Sequence, residues 1–201
     1  MDGIWGFALW DRERRELLLS RDPMGVKPLL RTLLPDGTLL FASEVKAFHA
    51  HPEFTARPDI DALTVRLAYE YPLDSTTLFL GVTQVAPGTI ESWSLDEDGR
   101  AVLNGVSKYS RDIISPAEHW DPSTQARILL DSFRDGLENR MMSDVPIGIV
   151  LSGGLDSSLV AALAHQVSLS AGKPVPECWT VASSEDNPDF VASEMVAQHH
   201  D

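Results

Sequence analysis

One short segment of the sequence combines an apolar strand, a glycine turn and a helix start. The apolar residues 147–151 lead into Ser152-Gly153-Gly154, and a helical pattern begins at Ser157. A turn of this kind directs backbone N–H groups and a helix N-terminus at one point, which favours an anion. The glycines let the backbone approach the anion closely, and the serine hydroxyls add donors. The sequence therefore predicts a nucleotide phosphate site.

The segment is not a Walker A loop, which has four residues between its glycines and ends in Gly-Lys-Ser/Thr. No lysine lies between Lys108 and Lys173, so amides, hydroxyls and a metal ion would hold the anion. Asp156 is the carboxylate inside the turn, and Mg²⁺ is usually held by one or two carboxylates together with phosphate oxygens. We therefore expect Asp156 to be the metal ligand. The alternative is a structural glycine turn between a buried strand and a helix.

Residues 152–158 (SGGLDSS) resemble the pyrophosphate-binding loop of the ATP-pyrophosphatase enzymes, which form acyl-adenylates. The preceding residues 143–146 (SDVP) narrow this resemblance to the synthetase domain of the glutamine-hydrolysing asparagine synthetase family. Residues 21–29 (RDPMGVKPL) and 41–47 (FASEVKA) are similar to that family's class II glutaminase domain, near its C-terminal end. The resemblance thus extends over nearly the whole chain.

This resemblance implies two domain portions. Residues 1–106 correspond to the C-terminal portion of a class II glutaminase domain of α+β fold. Residues 107–122 contain two prolines and show no periodicity, which predicts a linker. Residues 123–201 correspond to the N-terminal portion of a synthetase domain, an α/β parallel sheet of the adenine nucleotide α-hydrolase type. Class II glutaminases use an N-terminal cysteine, whereas this sequence begins Met1-Asp2-Gly3 and has its single cysteine at Cys178. We therefore expect an internal part of a longer enzyme.

The full enzyme of that family forms β-aspartyl-AMP from aspartate and Mg-ATP. Ammonia released from glutamine then gives asparagine, AMP and pyrophosphate. The resemblance assigns ATP binding to Leu151, Ser152, Gly153, Gly154, Asp156, Ser157 and Val181, with Mg²⁺ on Asp156. It assigns no catalytic residue. Two alternatives stay open: a non-catalytic nucleotide-binding module of the same ancestry, and an amide-forming synthetase that acts on another carboxylate.

The amino-acid composition argues against some classes of binding partner. Thirty acidic residues face sixteen basic ones, giving a formal net charge of −14. Such a surface repels a nucleic-acid backbone, which argues against DNA or RNA binding. No apolar run is long enough to span a membrane, and a single cysteine suits a reducing cytoplasm. The excess of Asp over Glu and of Arg over Lys is similar to the composition of proteins from salt-loving archaea. The alternative is a generally acidic surface that keeps the protein in solution. We expect small-molecule partners, with a homodimer left open.

Short apolar runs between turn signals predict β-hairpins in the first half of the chain. The hairpin turns fall at residues 11–15, 35–37 and 96–99. Ser43 and Asp59 are predicted to be helix N-caps, and Ile60, Leu63 and Leu67 follow Asp59 near helical spacing.

The second half alternates helix and strand, which predicts a parallel sheet. The predicted elements are helix 123–142 capped by Ser123, strand 147–151, helix 157–170, strand 177–182 and helix 188–200. The apolar face of the first helix, which includes Leu129 and Phe133, is expected to pack on the sheet. Ligands of such sheets bind beyond the carboxyl ends of strands, and Ser152 begins the loop at such an end.

Other polar groups favour structural interpretations. Arg21 and Asp22 could belong to a substrate site, but a glycine turn with a structural Arg–Asp pair is favoured. Glu44 and Lys46 are expected to form a solvated or interfacial pair. The sequence His199-His200-Asp201 invites a metal interpretation, but adjacent histidines on a helix point in different directions.

Overall fold

A computed structural model of the protein describes residues 3–71, 75–109 and 121–200. The chain divides into two compact units, Met1–Ser115 and Pro116–Asp201. Residues 110–120, which make up most of the predicted linker, lie outside the described residues, as do Met1, Asp2 and Asp201. No helix in the described ranges is long and apolar enough to cross a membrane.

The first unit contains two antiparallel sheets. Its strands are β1 (Gly6–Asp11), β2 (Glu16–Arg21), β3 (Leu30–Leu33), β4 (Leu39–Ala42), β5 (Val82–Gln84), β6 (Thr89–Leu95) and β7 (Ala101–Lys108). One sheet has the order β1-β2-β6-β7, and the other has the order β4-β3-β5. The hairpins β1–β2, β3–β4 and β6–β7 confirm the three predicted turns.

An aspartate organises the turn of each hairpin. The carboxylates of Asp11, Asp36 and Asp96 each accept a hydrogen bond from the backbone N–H two residues further on, at 2.9, 2.8 and 3.0 Å. Short acidic side chains favour turns because they bond their own local backbone in this way. Turn chemistry therefore accounts for part of the acidic excess.

Two apolar clusters fill the first unit. One consists of Leu30, Leu34, Phe48, Phe54 and Val82, and the other of Leu19, Leu29, Val85 and Trp93. The adjacent residues Leu29 and Leu30 enter different clusters because successive side chains of an extended chain point to opposite sides. The chain at the start of β3 therefore lies between the two clusters.

The helix after β4 departs from its predicted start. It is a 3₁₀ helix, Val45–Ala50, whose N-cap residue is Glu44 without a side-chain capping bond. The prediction of Ser43 as N-cap is wrong, because the backbone stays extended through Glu44 (φ −138°, ψ 138°). Glu44 and Lys46 form the expected exposed ion pair, at 2.6 Å.

Helix α1 (Ile60–Tyr69) begins as predicted. The Asp59 carboxylate accepts from the N–H of Ala62 at 3.0 Å and so caps the helix. Its apolar residues at helical spacing, including Ile60 and Leu67, are exposed.

The second unit alternates helix and strand. Its elements are α2 (Pro122–Arg140), β8 (Gly148–Val150), α3 (Leu155–Ser170), β9 (Glu177–Trp179) and α4 (Pro188–His200). Strands β8 and β9 pair in parallel, with Ile149 opposite Cys178. The predicted alternation and parallel pairing are confirmed. Helix α3 begins at Leu155, two residues before the predicted start, because Gly154 is its N-cap.

Helix α2 corrects two predictions. Its N-cap is Asp121 and not Ser123, since the Asp121 carboxylate accepts from the Ser123 N–H at 2.9 Å. Pro122 follows at the first helical position, where a missing N–H costs nothing. Leu129 and Phe133, expected to pack on a sheet, are exposed. Two three-residue strands are too short to cover a helix of 19 residues.

Candidate functional site

The predicted anion loop follows β8 directly and leads into α3. Leu151 is buried, and its N–H donates to the carbonyl oxygen of Trp179 at 2.8 Å, which extends the β8–β9 pairing by one bond. Because the two strands are parallel, Ser152 and Val181 follow strand ends at the same edge of the sheet. Ligands of α/β proteins bind at this edge.

Two serine hydroxyls meet inside the loop. The Oγ atoms of Ser152 and Ser157 are 3.1 Å apart, and the Ser152 N–H donates to Ser157 Oγ at 3.3 Å. Ser157 Oγ also donates to the carbonyl oxygen of Gly154 at 3.2 Å. The structure therefore brings the two predicted hydroxyl donors together at the N-terminus of α3. The first N–H groups of a helix lack intrahelical acceptors, so the same point carries a positive partial charge.

The two glycines of the loop have different roles. Gly153 has φ +74°, and a Cβ on it would lie 2.5 Å from Cβ of Ala192 and 2.6 Å from the backbone N of Ser193. Gly154 has φ −73°, and a Cβ there would meet nothing closer than 3.7 Å. Gly153 is thus required for the close approach of α4 to the loop. A side chain at Gly154, by contrast, would meet no close neighbour.

Asp156 lies in the first turn of α3 with its side chain exposed. A carboxylate at this position is favoured by the helix dipole. Among the residues that the structure describes, no group of three or more His, Cys, Asp or Glu side chains is placed to hold a metal ion. Asp156 is the carboxylate of this loop, and Mg²⁺ is usually held by one or two carboxylates together with phosphate oxygens.

Val181 and Thr180 follow β9. The Val181 side chain is 94% exposed, so it presents an open apolar surface beside the loop. The Thr180 hydroxyl donates to the carbonyl oxygen of Leu151 and ties the two strand ends together. The sequence interpretation missed Thr180. Its signal was a hydroxyl residue next to Val181 in the second half of the predicted strand 177–182, which ends earlier, at Trp179.

The stretch Arg21-Asp22 is a structural turn. The buried Asp22 carboxylate accepts backbone N–H groups from Met24, Val26 and Lys27 at 3.1, 3.0 and 2.9 Å. Burial alone raises the pKa of Asp22, but the backbone donors outweigh it and hold that pKa below its ordinary value. The neighbouring Arg21 donates to the carbonyls of Lys27 and Val85 and to the side chain of Gln84, among others. The predicted glycine turn is confirmed, with Gly25 at φ +64°, and surrounding backbone groups hold both the Arg21 and the Asp22 side chain.

Cys178 lies in β9, outside the anion loop, and is a free thiol with an accessible side chain. Partial burial raises its pKa. A raised pKa lowers the fraction of reactive thiolate at neutral pH, which is the opposite of what a cysteine nucleophile needs. The metal interpretation of His199-His200-Asp201 extends beyond the described side chains.

Two protein families match the chain. Residues 1–104 match the family described as glutamine amidotransferase domain, and residues 129–201 match the family described as asparagine synthase. The two matches follow one another along the chain and leave residues 105–128 between them.

Curated relatives match almost the whole chain. Asparagine synthetase [glutamine-hydrolyzing] 3 of Bacillus subtilis is 31% identical over 96% of this chain and 30% of its own length. The asparagine synthetase [glutamine-hydrolyzing] of Homo sapiens is 31% identical over 99% of this chain and 34% of its own length. That of Rattus norvegicus is 30% identical, over 100% and 35%. The chain thus spans about a third of the length of the curated relatives it matches.

Proposed function

This chain belongs to the glutamine amidotransferase domain family, and from that membership we propose that it is part of a glutamine-hydrolysing asparagine synthetase. The observation that carries the proposal is the loop after β8, where two serine hydroxyls converge on the N-terminus of α3. This loop lies within the residues that match the asparagine synthase family. In this proposal it binds the phosphates of ATP.

We divide the chain into two domain portions joined by a linker. Residues 1–106 form the C-terminal portion of a glutaminase domain, residues 107–122 a linker, and residues 123–201 the N-terminal portion of an adenine-nucleotide-binding synthetase domain. The split into two compact units supports this division, as does the order of the two family matches.

The proposed reaction joins ammonia to aspartate. The β-carboxylate of aspartate attacks the α-phosphorus of ATP, and the bond to pyrophosphate breaks. Ammonia from glutamine then attacks the acyl carbon of β-aspartyl-AMP, and AMP leaves with the electron pair of the broken C–O bond. The residues of this chain hold the departing pyrophosphate through the hydroxyls of Ser152 and Ser157 and the loop amides around Gly153 and Gly154. Removing one such donor typically costs about 3 kcal/mol in the transition state.

Mg²⁺ would neutralise charge on the phosphates, with Asp156 as its protein ligand. The exposed position of that carboxylate in the first turn of α3 fits this role. Leu151 and Val181 would border the nucleotide, with the exposed Val181 side chain against the adenine ring. The single cysteine and the net charge of −14 support a cytoplasmic protein with small-molecule substrates rather than nucleic-acid partners.

Titration calorimetry with Mg-ATP and with Mg-pyrophosphate tests the proposed site. Ser152→Ala and Ser157→Ala each remove one hydroxyl from the loop and should weaken binding about tenfold, since a hydrogen bond to a charged group contributes roughly 1.5–3 kcal/mol. Ser170→Ala is the matched control. Its hydroxyl donates to the Gln166 carbonyl at 2.8 Å at the opposite end of α3.

The control should bind as the unaltered chain does. Equal affinity in the two loop variants and the control would place the nucleotide elsewhere. Absence of binding in a chain that melts cooperatively would overturn the proposed function.

A further inference from the structure

Leu151, the residue that leads into the loop, is held through both of its backbone polar groups, which belong to successive peptide units. Its N–H donates to the Trp179 carbonyl at 2.8 Å, and its carbonyl accepts from the hydroxyl of Thr180. Its side chain is buried as well. The position of Ser152 therefore depends on two hydrogen bonds of Leu151, one to the last residue of β9 and one from Thr180, which follows that strand.

The Thr180 hydroxyl donates to the carbonyl oxygen of Leu151, which would accept a backbone N–H if the sheet continued. In a parallel ladder, the carbonyl of Leu151 would accept from a backbone N–H further along the β9 segment. The pairing of β8 with β9 ends at Val150 and Trp179. A buried carbonyl without a donor is costly, so a side-chain hydroxyl at this point lets the strand end without that cost.

We propose that Thr180 is the positioning residue of the anion loop. Its hydroxyl closes the β8–β9 ladder, fixes the peptide that precedes Ser152, and leaves the next residue, Val181, free to turn outward. This inference rests on the proposed function, because a loop that is already fixed in its binding conformation loses less entropy when it binds phosphate. The hydroxyl acts through Leu151 and does not itself need to touch the nucleotide.

Two substitutions separate the hydroxyl of Thr180 from its shape. Thr180→Val keeps the branched side chain and removes the donor, whereas Thr180→Ser keeps the donor and removes a methyl group. Thr64→Val is the matched control. The Thr64 hydroxyl also donates to a backbone carbonyl, that of Ile60 at 2.9 Å, but lies on α1 in the other unit.

Two measurements on the 201-residue chain test the inference. Hydrogen exchange without ligand should show the bonded amides of Leu151 and Ser152, which donate to the Trp179 carbonyl and to Ser157 Oγ, exchanging about fivefold faster in Thr180→Val, the loss expected for one hydrogen bond. Calorimetry should show Mg-ATP affinity about fivefold lower in the same variant. Thr180→Ser should restore both values, and Thr64→Val should change neither.

The outcomes separate this inference from the proposed function. Unchanged exchange and unchanged affinity in Thr180→Val, with affinity lost in Ser152→Ala, would overturn the role of Thr180 and leave the phosphate site intact. Equal losses in Thr180→Val and Thr180→Ser would show that side-chain shape, not the hydroxyl, matters, and would also overturn it. A chain that binds neither Mg-ATP nor Mg-pyrophosphate would overturn both proposals.

Discussion

Arg31 in β3 donates from Nε to the buried carboxylate of Glu91 in β6 at 2.6 Å, so an ion pair joins the two sheets of the first unit. The same carboxylate oxygen accepts from Nε1 of Trp93 at 3.0 Å. The Arg31 guanidinium also lies over the Trp93 ring, 5.2 Å from its centroid. One acidic side chain thereby fixes a cation and an indole that pack against each other.

Removing the charge of Glu91 should destabilise the first unit. Glu91→Gln leaves Arg31 facing a neutral, weaker acceptor in a buried place, and we expect a loss of about 3 kcal/mol in the free energy of unfolding. Urea unfolding followed by tryptophan fluorescence measures it. Glu97→Gln, in an exposed turn, is the control and should unfold at the urea concentration of the unaltered chain. Equal stability of both variants would contradict a structural role for the pair.

Asp22→Asn should also be strongly destabilising. Three backbone N–H groups donate to the Asp22 carboxylate, and an amide in its place would turn an NH₂ donor towards some of them. We expect a loss of about 3 kcal/mol, since an unpaired buried donor costs roughly 1–3 kcal/mol and the charge-assisted bonds are lost too. Asp36→Asn changes an exposed turn and should have a much smaller effect in the same thermal melts. Similar melting temperatures for the two variants would contradict this.

The depressed pKa of Asp22 predicts how its contribution varies with pH. The folded pKa lies below the unfolded value of about 3.9, so the contribution is fully present above about pH 4. It is lost as the pH falls from the unfolded pKa through the folded pKa, because the unfolded state takes up a proton in this range while the native carboxylate stays ionised. The stability difference between the unaltered chain and Asp22→Asn should therefore shrink below pH 4. Chemical unfolding between pH 2 and 6 measures this, and a constant difference would refute it.

The two loop glycines should respond differently to alanine. Gly153→Ala places a Cβ against the backbone of α4 at a positive φ, so it should lower the melting temperature of the second unit clearly. Gly154→Ala meets open space at an ordinary φ and should cost only about 0.5 kcal/mol, the difference between glycine and alanine at an N-cap. Differential scanning calorimetry compares them. Equal melting temperatures would mean that α4 does not rest on Gly153.

Cys178 should react slowly with alkylating reagents at neutral pH. Burial raises its pKa, so the thiolate fraction at any given pH is smaller than for an ordinary cysteine. The alkylation rate should reach half its maximum above about pH 8.5, the ordinary thiol pKa. Iodoacetamide labelling followed by intact mass between pH 6 and 10 measures this, with a small-molecule thiol as reference. Half-maximal labelling near neutral pH would contradict a raised pKa and would show that Cys178 is a reactive thiol.

The sequence alone determined the features that depend on neighbouring residues. The hairpin turns, the Asp59 cap and the strand–glycine turn–helix order of the anion loop each arise within a few residues, where turn chemistry and hydrophobic period act directly. The same local view misplaced the caps at Ser43 and Ser123. Polar residues one or two positions apart can each occupy the N-cap, and only the backbone path selects one.

Tertiary structure decided the relations between distant residues. Thr180 meets a carbonyl 29 residues earlier, and Arg31 meets an acid 60 residues later. The sequence marked Gly153 and Gly154 alike, but the packing of α4 against the loop makes only Gly153 intolerant of a side chain. Periodicity and turn signals contain no information about which segment packs over which, because those contacts form only when the elements assemble.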